Sequence, residues 1–152
     1  MSRIVKFRGL DKKTNEFVYG DLINTPEKTK RIIWFELKGE LPLDVDYKSF
    51  NKLVKSNSVG QFTGLKDING KEIYEGDILN IHIFTQELGS NLGVTEGEKE
   101  FKAEICYQSL GLWLEGNKEE ESDYIVMFNG IHEESFEVIG NIHENPNLLE
   151  YK

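Results

Sequence analysis

A chain of 152 residues suits one domain, and 38% hydrophobic with 11% aromatic residues is enough to bury a core without staples. The single Cys106 excludes an internal disulfide and fits a reducing compartment; no apolar leader core or run near the ~20 residues of a bilayer span occurs. Net charge is −9, with residues 1–60 carrying 12 Lys/Arg against 8 Asp/Glu and residues 61–152 carrying 6 against 19, a balance that disfavours general nucleic-acid binding.

In chain order, Ile4–Phe7 has strand composition, Asp11-Lys12-Lys13-Thr14-Asn15 is a polar turn, and Phe17-Val18-Tyr19 returns as a strand. The β-branched and aromatic stretch Ile32-Ile33-Trp34-Phe35-Glu36-Leu37 predicts another strand. After Pro42, the apolar residues Tyr47, Phe50, Leu53 and Val54 recur at three- and four-residue steps, which predicts one helix, with Asp44 or Asp46 at its start and Asn57 at its end. Gln61-Phe62-Thr63 then leads into Asp67-Ile68-Asn69-Gly70, whose Asn-Gly pair is a strong hairpin signal.

Lys71–Tyr74 and Asp77–Phe84 read as extended, and the polar, Gly-rich residues Thr85 to Glu100 as a long loop. Phe101 to Gln108 alternates, with Phe101, Ala103, Ile105 and Tyr107 on one face. Strands around Leu112–Leu114, Tyr124–Phe128 and Phe136–Ile142 follow, and Asn145–Leu149 closes the chain as a short cap. The expected fold is mainly β with one or two helices, a small barrel or sandwich built of hairpins. It forms a single domain over 1–152, divisible into an N-terminal β-unit of about 1–58 and a C-terminal barrel-like unit of about 59–152.

The chain also echoes itself. Phe7-Arg8-Gly9-Leu10, a polar turn with Asp11 and Asn15, and Tyr19-Gly20-Asp21-Leu22-Ile23 are matched by Phe62-Thr63-Gly64-Leu65, Asp67 and Asn69, and Tyr74-Glu75-Gly76-Asp77-Ile78-Leu79. Each copy describes a hairpin in which Gly permits the turn, Asp bonds nearby backbone and the aliphatics re-enter a sheet.

These residues carry a family likeness. Lys6–Gly9 with Tyr19–Leu22, then Phe62–Ile78, then Val138–Leu149 resemble, in order, three blocks of the YopX family, while roughly residues 24–58 and 85–100 carry no match. The resemblance implies a gene of phages and prophages of Gram-positive bacteria and a self-associating protein, hence a homo-oligomer in the host cytoplasm. It implies no catalytic residue.

No residue-level chemistry stands out. His82, His132 and His143 lack metal-ligand spacing, and Cys106 lacks a nucleophile signature. Phosphate-cradling and dinucleotide-binding glycine loops are missing too. His132-Glu133-Glu134 and His143-Glu144 are the His–acid clusters; Asp21 and Asp77 hold equivalent places in the echo and read as turn caps rather than an acid–base pair. Trp34 and Trp113 read as core or subunit contacts.

No catalytic, cofactor-binding or metal residue is therefore assigned, and no cofactor is expected. The expected function is a non-enzymatic, self-associating accessory protein that binds a host or phage protein. The alternatives are nucleic-acid association through Arg3, Lys6, Arg8, Lys12, Lys13, Lys28, Lys30 and Arg31, DNA mimicry by the acidic half with its run Glu119–Asp123, and, last, a metal-dependent enzyme on His132 or His143.

Overall fold

The structure, a computed structural model, describes residues 4–38, 46–88, 94–108, 111–116, 126–127 and 136–149. Internal contacts divide the chain into two compact units, Met1–Phe62 and Thr63–Lys152.

In the first unit, β1 (Phe7–Leu10), β2 (Phe17–Asn24), β3 (Lys30–Lys38) and β4 (Asp46–Val54) form an antiparallel meander. The start of β5 (Gly60–Lys66) pairs with β1 through Phe7↔Gln61 and Arg8↔Gly60. Local chemistry explains the corners. Asp11 Oδ1 accepts the Lys13 N–H at 2.8 Å, while Thr25 and Thr29 hydroxyls meet at 2.7 Å across the next turn. Ile32 and Val54 are fully buried on one face of this sheet, and Gly9 lets the backbone close onto Val54, since a Cβ there would stand 3.0 Å from the Val54 Cβ.

This meander curls. An isolated antiparallel bridge joins Asp11 to Val54, Lys12 N donates to Leu53 O at 3.0 Å, and Lys55 N donates to Leu10 O at 2.9 Å. Ser58, in the short 3-10 turn Ser56–Ser58, accepts the Leu10 N–H at 2.8 Å with its hydroxyl.

In the second unit the rest of β5 turns through Asp67–Gly70 into β6 (Glu72–Tyr74), and β7 (Asp77–Leu88), β8 (Val94–Gln108), β9 (Gly111–Gly116), β10 (Val126–Met127) and β11 (Phe136–Asn141) form a sheet of order β10-β9-β8-β7-β11. Register places Leu79 opposite Ala103 and Val138, and Ile81 opposite Phe101 and Phe136. Leu79, Ile81, Ala103, Phe136 and Val138 with Ile73 and Ile105 form the core, with Leu65 and Phe101 packed against it. The alternation predicted for Phe101, Ala103 and Ile105 is the alternation found. A 3-10 turn, Pro146–Leu149, stands at the predicted closing cap.

The β-rich class is borne out. Among the described residues both sheets run from one edge strand to another rather than closing into a barrel. Two expectations are corrected. Residues 46–54 are strand β4, not a helix, because nine consecutive register pairs with β3, Lys30↔Val54 to Lys38↔Asp46, outweigh the helical spacing of Tyr47, Phe50, Leu53 and Val54, which the strand divides between its two faces. Within that pairing Phe50 stacks on Trp34 with ring centroids 4.9 Å apart and planes 5° from parallel. The expected loop over 85–100 is instead largely the continuation of the β7–β8 hairpin, from Thr85↔Gly97 to Leu88↔Val94, propagated outward from the buried Leu79↔Ala103 pair.

Candidate functional site

The echoed aspartates are structural, but the matched pair is not Asp21 and Asp77. Asp77 is buried and its Oδ2 accepts the Tyr74 N–H at 2.8 Å, whereas Asp21 is exposed in mid-strand opposite Ile33. The equivalents are Asp11 and Asp67, both buried and each bonding the backbone two residues on. The signal was in the sequence as an Asp opening each polar turn.

Asp67 does most. Its Oδ1 accepts the N–H groups of Asn69 at 2.8 Å and Lys71 at 2.9 Å, and its Oδ2 accepts the Val138 N–H at 3.0 Å. Burial raises its pKa, but the three backbone donors, with Lys71 nearby, outweigh burial and hold the carboxyl below the usual aspartate value. Asp11 is likewise lowered, first by the Lys13 N–H and then by Lys52, whose Nζ is 3.1 Å from Oδ2, against the effect of burial.

The two later blocks of the sequence signature therefore meet. Asp67 bonds Val138, Asn141 pairs with Asp77, and Ile142 N donates to Gly76 O at 2.9 Å. Asn141 Oδ1 accepts the N–H groups of His143 and Glu144, each at 3.0 Å. His143-Glu144 is thus part of a turn. His82 lies on the exposed face with Nε2 3.5 Å from Glu100 Oε1. Cys106 is half-buried and not disulfide-bonded, on the face opposite Ala103 and Ile105. Among the described residues no three His, Cys, Asp or Glu side chains group as metal ligands. His132-Glu133-Glu134, Glu119–Asp123 and Arg3 lie outside the described residues, as does the Trp113 side chain.

The basic residues are dispersed. Arg8 is buried with its guanidinium 4.6 Å from the Phe17 ring centroid, and Arg31 Nε donates to Asn51 Oδ1 at 2.6 Å. Lys6 sits 5.7 Å over Tyr19, Lys30 Nζ donates to Ser56 O at 3.4 Å, and Lys12, Lys13 and Lys28 are exposed.

What sequence reasoning missed is an exposed apolar row. Leu37 stands opposite Tyr47, and Phe35 opposite Ser49, so Phe35, Leu37 and Tyr47 share a sheet face with Ile33, Ile23 and Tyr19. Phe35, Leu37 and Tyr47 are 60%, 61% and 61% exposed. The opposite face carries the Trp34–Phe50 stack, with Lys48 Nζ 4.6 Å from the Phe50 centroid. The available signal was the adjacent pair Trp34-Phe35, which places large apolar groups on both faces of a strand.

The fold and this surface define a two-unit antiparallel β protein with an exposed apolar row on one sheet. The chain belongs to the YopX family, whose description, YopX protein, matches over residues 6–150. It is similar to a solved structure, protein EF1440 from Enterococcus faecalis, at 27% identity and TM-score 0.54, over 98% of this chain and 100% of that one. No curated protein matches. Neither description names a reaction. Among the described residues no helix is long and apolar enough to cross a membrane.

Proposed function

We propose that this chain is a non-enzymatic accessory protein of a phage or prophage, a self-associating module that binds a host or phage protein in the bacterial cytoplasm. The observation that carries the proposal is the row Phe35, Leu37 and Tyr47, three large apolar side chains held side by side in water by strand register. Scattered exposed hydrophobics are ordinary, but a contiguous row on a rigid sheet supports a protein contact. The row falls in the stretch that carries none of the family-like blocks, so the joinery of the fold and the recognising surface are separate in sequence. The uneven charge supports association between copies, the basic first part against the acidic remainder, in a manner that salt weakens.

The test is sedimentation of the full chain over a range of concentration and salt, beside Leu37→Ser and Phe35→Ser. Association that those substitutions abolish, with melting unchanged, is the expected result. A chain that stays monomeric at every concentration and captures no nuclease-resistant protein from host lysate overturns the proposal.

A further inference from the structure

We propose that the outer edge of β4 is a strand-acceptor site for an extended, acidic segment of a partner protein. This rests on the binding-module reading above and specifies how the partner is held. The edge already works as a ladder at one end. Leu53 O accepts the Lys12 N–H and Lys55 N donates to Leu10 O, so the odd-numbered residues of β4 aim their backbone groups outward. By strand alternation Asn51, Ser49 and Tyr47 do the same, and among the described residues β4 ends its sheet, with no strand paired to them. An edge of this kind recruits an extended chain through main-chain hydrogen bonds.

Natural edges are usually blunted by proline, by a bulge or by lysines projecting across them. None of these operates in β4. Its register with β3 is unbroken, its sequence DYKSFNKLV holds no proline, and its lysines are held on its own sheet, Lys48 over the Phe50 ring and Lys52 against Asp11. Charge sets the partner's chemistry. With Lys52 paired to Asp11, strands β3 and β4 still hold Lys30, Arg31, Lys38 and Lys48 against Glu36 and Asp46, an excess that favours carboxylates on the incoming strand. The exposed Tyr47, on β4 itself and continuous with Leu37 and Phe35 one strand further in, favours an apolar group at the alternate position beside it. Leu37 also makes a base-stacking surface a poorer description than an acidic–apolar peptide.

The experiment measures fluorescence anisotropy of a short labelled peptide in which glutamate alternates with valine and phenylalanine, titrated with the full chain. Its controls are a peptide with lysine in place of glutamate and a scrambled one. Ser49→Pro removes an outward N–H without touching the β3 pairing and is expected to weaken binding about tenfold or more with the melting temperature kept. Phe35→Ser, which leaves the edge intact, is expected to weaken it less.

Equal binding of the lysine peptide, equal binding by Ser49→Pro, or no binding to the wild type overturns the proposal. Loss of self-association in Ser49→Pro also overturns it, because a second copy is then the occupant. If no peptide binds while Leu37→Ser still abolishes association or partner capture, the edge site fails and the apolar-face reading stands; if neither effect is seen, both fail.

Discussion

Replacing Asp67 tests the claim that turn chemistry, rather than any reaction, accounts for the central signature. In Asp67→Ala three backbone donors lose an ionised acceptor. The Asn69 and Lys71 N–H groups lie in an exposed turn and regain water, so their loss is modest. The Val138 N–H belongs to a buried strand residue and is left unsatisfied, which costs about 1–3 kcal/mol by itself. The expected total is about 3–5 kcal/mol, a large part of the ~5–15 kcal/mol that stabilises an ordinary domain.

Asp67→Asn is the finer probe. Its amide oxygen can serve the turn, but its NH2 then faces the Val138 N–H, donor against donor, for a loss of about 2 kcal/mol. Urea denaturation followed by far-ultraviolet circular dichroism reads both. The sign with pH follows from the lowered pKa: stabilisation by the ionised carboxyl is fully present above the ordinary aspartate value and is lost as pH falls through the lowered one. The gap between wild type and Asp67→Asn therefore narrows below about pH 4. An Asp67→Ala protein within about 0.5 kcal/mol of wild type, or a gap that ignores pH, refutes the reasoning.

Gly20→Ala would set a Cβ 2.2 Å from the Ile33 carbonyl oxygen, so β2 and β3 must part; a loss of about 3 kcal/mol or more is expected in the same denaturation assay. Gly70→Ala, with φ +78° but open space around the Cβ, is expected to cost only about 1 kcal/mol, a contrast that separates collision from backbone preference. Ile81→Ala, at a fully buried site between Phe101 and Phe136, is expected to cost about 2–5 kcal/mol, read by thermal melting. Asn141→Ala removes the acceptor of two turn N–H groups and is expected to cost about 1–2 kcal/mol.

Elements whose signal is local were legible in the sequence. The turn at Asp67–Gly70 and the alternation from Phe101 to Ile105 follow from Asn-Gly chemistry and from period two, and both stand in the structure. Strand β4 was not legible, because Tyr47, Phe50 and Val54 are spaced as on one helical face, and pairing with β3 overrode that spacing. The β7–β8 extension escaped for a related reason, since its polar residues are carried by register begun in the core. The apolar row escaped because an exposed Phe35 and a buried Ile32 look alike until the faces are assigned. The aspartates were misassigned in detail: Asp21 and Asp77 match in spacing, but spacing along a strand does not say which carboxyl turns inward.

The joint that returns β4 to the end of β1 also bears on the order of folding. The β3–β4 ribbon can zip from its Lys38↔Asp46 end, because its pairs lie closer in sequence, but Lys12 to Leu53 and Leu10 to Lys55 are bonds between distant residues. Closing that loop costs chain entropy that no local contact offsets beforehand. On the ribosome, then, the first hairpin emerges with its edge unfinished and waits until Lys55 has left the tunnel. Residues 10–12 act as a latch set early in the chain and thrown late.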